Sequence, residues 1–572
     1  MHGIKFILSW IKRGLSQLPN EIMKVSKTLL SYSAVFVFIL LLYTGSSLLS
    51  APDNYLKISQ GLKLFSQVYK QVSSTYVDEI DPESFIEAAI RGMLKTLDPY
   101  TAYYSPENSS GIDMLTTGSY GGVGIRLGMR GDSLTVISPM EGTPAGRSGI
   151  IAGDKIIKID GLSTAGLKLD AAADMIRGPE GEEVELKISR HGFTRAIDFI
   201  LVREKIILNE VIYSGFIKEN IGYIRLTGFS KSSVSKFKES LTELINDGLE
   251  GVIIDLRDNP GGLLDAALKI SDMFIDKGEL LVSTKGRIRQ MNKKHYSKKN
   301  PIIDRNIELV VIVNAGSASA SEIFAGVVQD LDRGVIVGNK TFGKGLVQSV
   351  ISLPYDKKVK VTTGKYYIPS GRLIQKEDYF HKGSSIIRDE SDSLFATLNG
   401  RAVFGGGGIT PDVIVESPKS SKLISDLWRK NMFYKYSGIW TTKHPEAIAP
   451  VTLEDSDVIE FIDFIVNSDF KYDSDVRKAY TSLIKALEAN QYPENVVDDI
   501  KEVESKFYKI EDEFTETDVG IIKSVLSREI SEMIGRTKGR YESIFLTDKV
   551  ILRSVELLEN NMFYNQTLGY IE

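Results

Sequence analysis

The sequence predicts a multidomain α/β protein: an N-terminal membrane segment, a helical unit, a small mixed β domain, an α/β core and a helical C-terminal region. Three observations carry this. At 572 residues the chain is several times longer than one hydrophobic core requires. The spacing of apolar residues changes along it, from helical, to alternating, to short buried runs, and back to helical. Near the start, residues 28–52 contain no charged side chain.

Composition narrows the function. With 42% hydrophobic and 25% charged residues and 49 glycines, the chain is ordinary for a folded α/β protein. A net charge of −5 lacks the basic footprint of phosphate-backbone binding, so nucleic acid is set aside as a partner. The absence of cysteine removes disulfides, thiolate zinc sites and a cysteine nucleophile. His2, His191, His295, His381 and His444 form no H-E-x-x-H spacing, which argues against a metallopeptidase. No metal and no cofactor is expected.

Within the uncharged stretch, Ala34 to Tyr43 is almost wholly apolar and suits a bilayer core. Lys5, Lys12, Arg13, Lys24 and Lys27 precede it against a single Glu21, so the positive-inside rule keeps that end in the cytoplasm and exports the chain beyond residue 52. Leu49-Ser50-Ala51 is a poor cleavage site because leucine stands where a small residue belongs. The expectation is a transmembrane anchor or signal segment in residues 1–52, the uncleaved anchor through 28–50 being preferred, with the remainder in the periplasm or cell envelope.

Residues 53–117 read as a helical unit. Ile58, Leu62, Leu64, Phe65, Val68 and Val72 recur mainly at three and four, and a second run, Phe85 to Leu94, ends before Asp98-Pro99. Residues 118–203 alternate instead. Val123, Ile125 and Leu127 precede a Gly131-Asp132 turn and a strand Leu134 to Ile137. Thr143-Pro144 starts a short helix that Gly149 stops. A helix ending at Arg177-Gly178 and a strand Val184 to Ile188 complete the small β domain. Over 204–416, the apolar runs Gly222 to Leu226, Val252 to Leu256 and Leu309 to Val313 suit buried strands of an α/β core. Residues 376–400 read as a solvated insertion. The final stretch, 417–572, holds five glycines and amphipathic patterns such as Val458, Ile459, Phe461, Ile462, Ile465 and Ile522, Val525, Leu526, Ile530, Met533.

Chemistry concentrates in two motifs. Asn314 to Phe324 comes directly after a buried strand, and its Ser319 and Glu322 form an S-x-x-E capping box at a helix start. Ser319 is then either a plain cap or a hydroxyl facing amides and a helix end that favour an oxyanion. Lys344, between Gly343 and Gly345 with Phe342, Leu346 and Val347 nearby, is either a phosphate contact or turn residue, or a base whose pKa burial has lowered. A serine needs such a base, and no histidine lies in this part of the chain. Gln348, four residues on, returns to the side of Lys344.

Two family resemblances rest on these residues. Tyr120 to Ile125, Pro144 to Gly149 and Gly153 to Gly161 resemble a PDZ domain of bacterial proteases. That likeness implies that the glycine-rich loop Gly122, Val123, Gly124 and Ile125 binds a peptide carboxylate. Ser319, Lys344 25 positions later and Gln348, together with Asp255 to Gly262, Gly92 to Pro99 and Pro369 to Arg372, resemble the carboxyl-terminal processing peptidases. This likeness runs from about Phe65 to Val415. It implies a crotonase-like α/β core, with Ser319 as nucleophile, Lys344 as general base and Gln348 orienting it. The implied oxyanion hole is the amide of Ala320 with that of Gly261 or Gly262. The implied activity is a serine endopeptidase acting on exported polypeptides with free apolar C-termini. A catalytically inactive PDZ scaffold of the envelope is the alternative. An acyl-CoA reaction on the same core is disfavoured by export. The helical C-terminal region is a candidate surface for homo-oligomerisation or partner docking.

Overall fold

The computed structural model describes residues 53–106, 118–190, 193–376, 393–416, 420–468, 475–511 and 514–570, together with Ile112, Met114, Tyr379, Phe470 and Tyr472. The anchor expected at 28–50 lies outside them, as does most of the insertion. No helix among the described residues is long and apolar enough to cross a membrane. The chain divides into two compact units, residues 1–93 and 94–572.

In the first unit, helix α1 (Asp53–Thr75) is followed by α2 (Pro82–Lys95), which runs into the second unit. Tyr69 stacks on Phe85 with ring centroids 5.5 Å apart, and its hydroxyl donates to Pro82 O at 2.9 Å. The apolar stripe of α1 is present as the spacing requires, yet Ile58, Leu62 and Phe65 remain exposed.

The second unit opens with β1 (Ala102–Tyr104), a strand within the stretch that the spacing predicts as wholly helical. Its pairing partner lies far along the chain, so local periodicity does not reveal it. Next come β2 (Ser119–Gly122), β3 (Ile125–Arg130), β4 (Ser133–Pro139), α3 (Pro144–Ser148), β5 (Lys155–Ile159), β6 (Leu162–Ser163), α4 (Leu169–Ile176), β7 (Glu183–Ser189), β8 (Ile197–Val202) and β9 (Glu204–Ile207). One sheet has the order β3-β4-β5-β7-β8 with β6 beside β5, while β2 pairs with β9. Alternation puts Leu134, Val136, Val184, Leu186 and Ile188 in its core, and a register shift in β5 between Ile156 and Lys158 lets both Ile156 and Ile159 join them. Thr143 caps α3 through Gly146 N, Pro144 occupies the first turn, and Gly149 ends the helix at φ 85°.

The α/β core is built from β10 (Val211–Lys218), β11 (Ile221–Leu226), α5 (Lys231–Asn246), β12 (Gly251–Asp255), α6 (Leu264–Ser271), β13 (Leu280–Lys285), β14 (Lys293–Tyr296), β15 (Glu308–Val313), α7 (Ala320–Asp330), β16 (Val335–Gly338), β17 (Leu346–Ser352), β18 (Lys358–Tyr367), β19 (Leu394–Ala396), β20 (Ala402–Phe404) and β21 (Val413–Ile414). The main sheet has the order β10-β11-β12-β15-β16-β21 and is parallel from β11 onward. A second sheet, β1-β18-β13-β14 with β17 on β18, is antiparallel. Parallel strands joined by crossovers are covered on both faces, which is why β12 and β15 are nearly continuous apolar runs. On one face Phe237, Leu241, Ala267, Ile270, Ile323, Phe324 and Val327 of α5, α6 and α7 close the core.

The C-terminal helices are α8 (Lys422–Arg429), α9 (Met432–Lys443), α10 (Asp455–Val466), α11 (Asp475–Ala489), α12 (Glu494–Glu511), α13 (Glu516–Thr547), α14 (Lys549–Glu559) and α15 (Asn561–Thr567). Leu427, Phe433, Phe461, Leu526 and Ile530 form a separate helical core. At Arg536 (φ 54°) α13 kinks. Beyond the kink Tyr541, Phe545, Val550, Ile551, Leu557 and Tyr564 cover the other face of the main sheet. The end of the chain is therefore the third layer of the core. Arg257 Nη1 ties this layer on through Asp548 Oδ2 at 2.7 Å, and Leu309 N–H donates to Tyr564 Oη at 2.9 Å. The small β domain rests on the helical region too: Gly131 N–H donates to Arg429 O at 3.0 Å, and the Arg130 guanidinium lies 4.7 Å from the Tyr434 ring centre.

Candidate active site

Ligands in open parallel sheets sit beyond the carboxyl ends of the strands. Here three adjacent strands, β12, β15 and β16, send out the loops 256–263, 314–319 and 339–345. These loops carry the Asn259-Pro-Gly-Gly262 turn, the serine motif and Lys344.

The serine loop is fixed by its neighbours. Ser317 and Ser321 are fully buried, and their hydroxyls donate to backbone carbonyls, Leu256 O at 2.8 Å and Asn259 O at 2.9 Å. Ser319 is partly exposed and precedes α7 with φ 54° and ψ −110°, a conformation that costs an L-residue about 1–3 kcal/mol. Glu322 holds it there, since Oε2 accepts the Ser319 N–H at 2.8 Å.

That carboxylate does more than cap a helix. Its Oε2 also accepts the Lys344 N–H at 2.9 Å, and Oε1 accepts from Gly343 N–H at 2.7 Å and Thr341 Oγ1 at 2.6 Å. Burial pushes the Glu322 pKa up, and these four donors favour the ionised form in opposition. Tyr366 makes a second bridge: its buried hydroxyl lies 3.0 Å from Ser319 O and 2.7 Å from Lys344 O. Burial and the Glu322 charge push the Tyr366 pKa well above its ordinary value, which keeps it a donor. Glu322 and Tyr366 thus fasten the backbones of Ser319 and Lys344 together.

The Lys344 side chain is half-buried. Burial, with Lys360 as a like-charged neighbour, lowers its pKa to about 8 against the opposing fields of Glu322 and Asp98. The amine is then half-deprotonated at about pH 8, well below the range of an ordinary lysine. The flanking glycines are steric necessities. Gly343 has φ 90°, and a Cβ there would stand 2.8 Å from Lys376 Cβ; one on Gly345 would stand 2.9 Å from Gln375 N. Gln348 lies on β17, and its Nε2 reaches Thr362 Oγ1 at 3.4 Å.

The glycine turn approaches the serine closely. A Cβ on Gly261 would fall 2.8 Å from Ala320 N and 2.9 Å from Ser319 Cβ. Gly261 N–H is already donated to Asn259 Oδ1 at 2.9 Å, whereas the Gly262 N–H has no partner among the described residues. Ala320 N–H belongs to the first helical turn, which lacks intrahelical acceptors. Asn259 braces the turn from below through Leu226 O at 2.9 Å. Asp255 anchors the strand end: it accepts from Tyr223 Oη at 2.7 Å and Arg257 Nη2 at 2.6 Å and pairs with Arg225. Burial alone would raise its pKa, but Arg257 and Arg225 outweigh burial and hold it at about 2.

In the small β domain, Gly122 to Ile125 lead into β3, an end strand of its sheet, beside α4. Val123 O and Gly124 O accept from Ala145 N–H at 2.9 Å and Met140 N–H at 2.8 Å, leaving the loop pinned by its carbonyls. Gly124 has φ 74°, and a Cβ there would strike Thr143 at 2.3 Å. No cluster of three or more candidate metal ligands occurs among the described residues.

Family models match four stretches of the chain. Residues 220–380 match peptidase family S41, 135–190 a PDZ domain, 423–558 the C-terminal helical domain of a probable PDZ-protease, and 44–108 the N-terminal domain of the activating protease CtpB. The carboxy-terminal-processing protease of Bartonella bacilliformis is 35% identical over 402 residues, covering 70% of this chain and 84% of the relative. The carboxy-terminal processing protease CtpA of Bacillus subtilis is 33% identical, covering 54% and 66% respectively. Among solved structures, the photosystem II D1 C-terminal processing protease aligns with 64% of this chain and 96% of its own, at 27% identity and a TM-score of 0.35. On the sequence relationship, the chain belongs to the carboxy-terminal processing proteases of peptidase family S41, with a PDZ domain and a C-terminal helical domain.

Proposed function

We propose that the chain is a serine endopeptidase working through a Ser319/Lys344 dyad. Neutral Lys344 takes the Ser319 hydroxyl proton as Oγ attacks the scissile carbonyl carbon. The oxyanion forms between the amides of Ala320 and Gly262, the latter preferred over Gly261 because Asn259 already occupies the Gly261 donor. Lys344 then gives its proton to the leaving amine as the C–N bond breaks, and water releases the acyl group with Lys344 again as base. Gln348 has the lesser part of orienting the amine. No metal or cofactor enters any step.

In this reading the PDZ domain selects substrates by a free apolar C-terminus. The tail adds a strand to the outer edge of β3, and its carboxylate meets the Gly122–Ile125 loop. Residues 28–50 anchor the chain so that the protease faces exported, envelope polypeptides. The helical C-terminal region remains a candidate surface for self-association.

The observation that carries the proposal is the shared backbone clamp of Glu322 and Tyr366, which joins a partly exposed serine at positive φ to a lysine of lowered pKa. The test is cleavage of an unfolded, apolar-tailed polypeptide by serine variants. Ser319→Ala should abolish turnover in a folded protein, while Ser317→Ala and Ser321→Ala should retain the catalytic step. Turnover by Ser319→Ala would refute the assignment, and no turnover by the wild type would favour a PDZ scaffold.

A further inference from the structure

The motif Asp98-Pro99 takes no part in the chemistry just described, yet it is built into the same site. Asp98 is buried, and its Oδ1 accepts the N–H groups of Tyr100 at 2.8 Å and Thr101 at 2.9 Å while Oδ2 accepts Thr101 Oγ1 at 2.8 Å. Such an Asx turn fixes the chain direction after Pro99. β1 then pairs antiparallel with Lys358, Val359 and Lys360 of β18, and Thr362 N–H donates to Thr101 Oγ1 at 3.2 Å. The turn and strand place the Tyr100 ring under the base: Lys344 Nζ lies 4.4 Å from the ring centre. Tyr379 meets Tyr100 edge to face at 6.0 Å. On the same strand Tyr104 receives the Lys360 ammonium at 5.6 Å.

We propose that Tyr100 is a positioning residue of the catalytic site, its ring face seating the Lys344 ammonium that forms when the base takes the Ser319 proton. The inference rests on Lys344 being the base. A base in a half-buried site faces two demands. Its neutral form must be accessible, which a carboxylate contact would prevent by pinning the proton; its charged form must be tolerated in the transition state. An aromatic face meets both, because its quadrupole attracts the cation weakly and brings no acidic group of its own. The charged groups facing Lys344 are Lys360 from β18, Glu322 from α7 and Asp98 from the turn. Among them the ring contributes attraction for the ammonium and little for the neutral amine. Loss of the quadrupole should therefore lower the plateau kcat and not KM, and it should move the ascending limb of the pH profile to lower pH.

The test replaces Tyr100 in the full chain with rings of nearly constant shape. Tyr100→Phe keeps the ring face and should stay within about threefold of wild-type kcat. Tyr100→3,4,5-trifluorophenylalanine nearly cancels the negative potential of the face and should lose about tenfold in kcat relative to Tyr100→Phe. KM should stay within about twofold, and the midpoint should fall by roughly half a unit or more. Tyr100→Leu should behave like the fluorinated ring. Equal kcat and midpoint for the phenyl and fluorinated rings would overturn the inference, as would a loss in Tyr100→Phe as large as that of the fluorinated variant. Lys344→Ala is measured alongside. If it is inactive while the ring series is flat, only the role of Tyr100 fails; if it retains turnover, the base assignment fails and the inference with it.

Discussion

Replacing Glu322 by Gln removes one negative charge and almost no volume from the centre of the site. The carboxylate is fully buried and receives four donors: Ser319 N–H, Lys344 N–H, Gly343 N–H and Thr341 Oγ1. A glutamine amide can offer its oxygen to only one pair. Its NH2 would then confront either the Ser319 and Lys344 amides, or the Gly343 amide and a Thr341 hydroxyl that already accepts from Ile409 N–H at 2.6 Å. Each charge-assisted bond contributes about 1.5–3 kcal/mol, and one or two buried donors would be left unpaired, so a loss of about 3–5 kcal/mol is expected. Calorimetry should show a lowered melting temperature for the core. Peptide hydrolysis should show kcat reduced by about tenfold or more, because the clamp between nucleophile and base is broken. The missing charge also withdraws a field that favours the Lys344 ammonium, so the pH midpoint should move down. Wild-type melting together with wild-type kcat in Glu322→Gln would refute this reasoning.

Two other perturbations probe parts of the molecule farther from the scissile bond. Ile551 on α14 is fully buried against the main sheet, so Ile551→Ala should cost about 2–5 kcal/mol in denaturant unfolding while leaving kcat per folded molecule unchanged. A fall below about 1 kcal/mol would mean that α14 is not a layer of the core. Peptides ending in a free Ala or Val should bind full-length Ser319→Ala about ten- to a hundredfold more tightly than their amides by calorimetry. Equal affinity would remove carboxylate recognition from the PDZ loop.

Much of this arrangement is legible in the sequence, and the reason differs by element. Buried parallel strands announce themselves as apolar runs, and β11, β12 and β15 fall where Gly222 to Leu226, Val252 to Leu256 and Leu309 to Val313 place them. Thr143, Pro144 and Gly149 bound their short helix because cap chemistry is local. Ser319 is visible as a helix start, and Glu322 as its capping partner. The hidden parts are non-local. The other donors to Glu322 come from the loop before β17, and Tyr366 reaches back from β18. β1 sits in a stretch of helical spacing because its pairing belongs to β18. The C-terminal amphipathic faces are visible too, but periodicity says that a face is covered and not by which element. The kink at Arg536, which divides α13 between a helical core and the main sheet, comes directly after Gly535, but a lone glycine in a helical pattern does not by itself distinguish a kink from a continuous helix. The exposed stripe of α1 shows the same limit from the other side.

The dependence of kcat/KM on pH tests the Ser319/Lys344 mechanism most directly. A lysine base acts only when neutral, so activity must rise as pH climbs through its pKa. With that pKa at about 8, roughly one site in ten is competent at pH 7 and about one in a hundred at pH 6. Measured on an uncharged reporter peptide between pH 6 and 10, kcat/KM should rise about tenfold per unit and level off just above pH 8. Lys344→Arg should lose the limb and the activity together, since guanidinium does not deprotonate in this range. A profile that is flat over the whole range, or that levels off below pH 7, would contradict a lysine base.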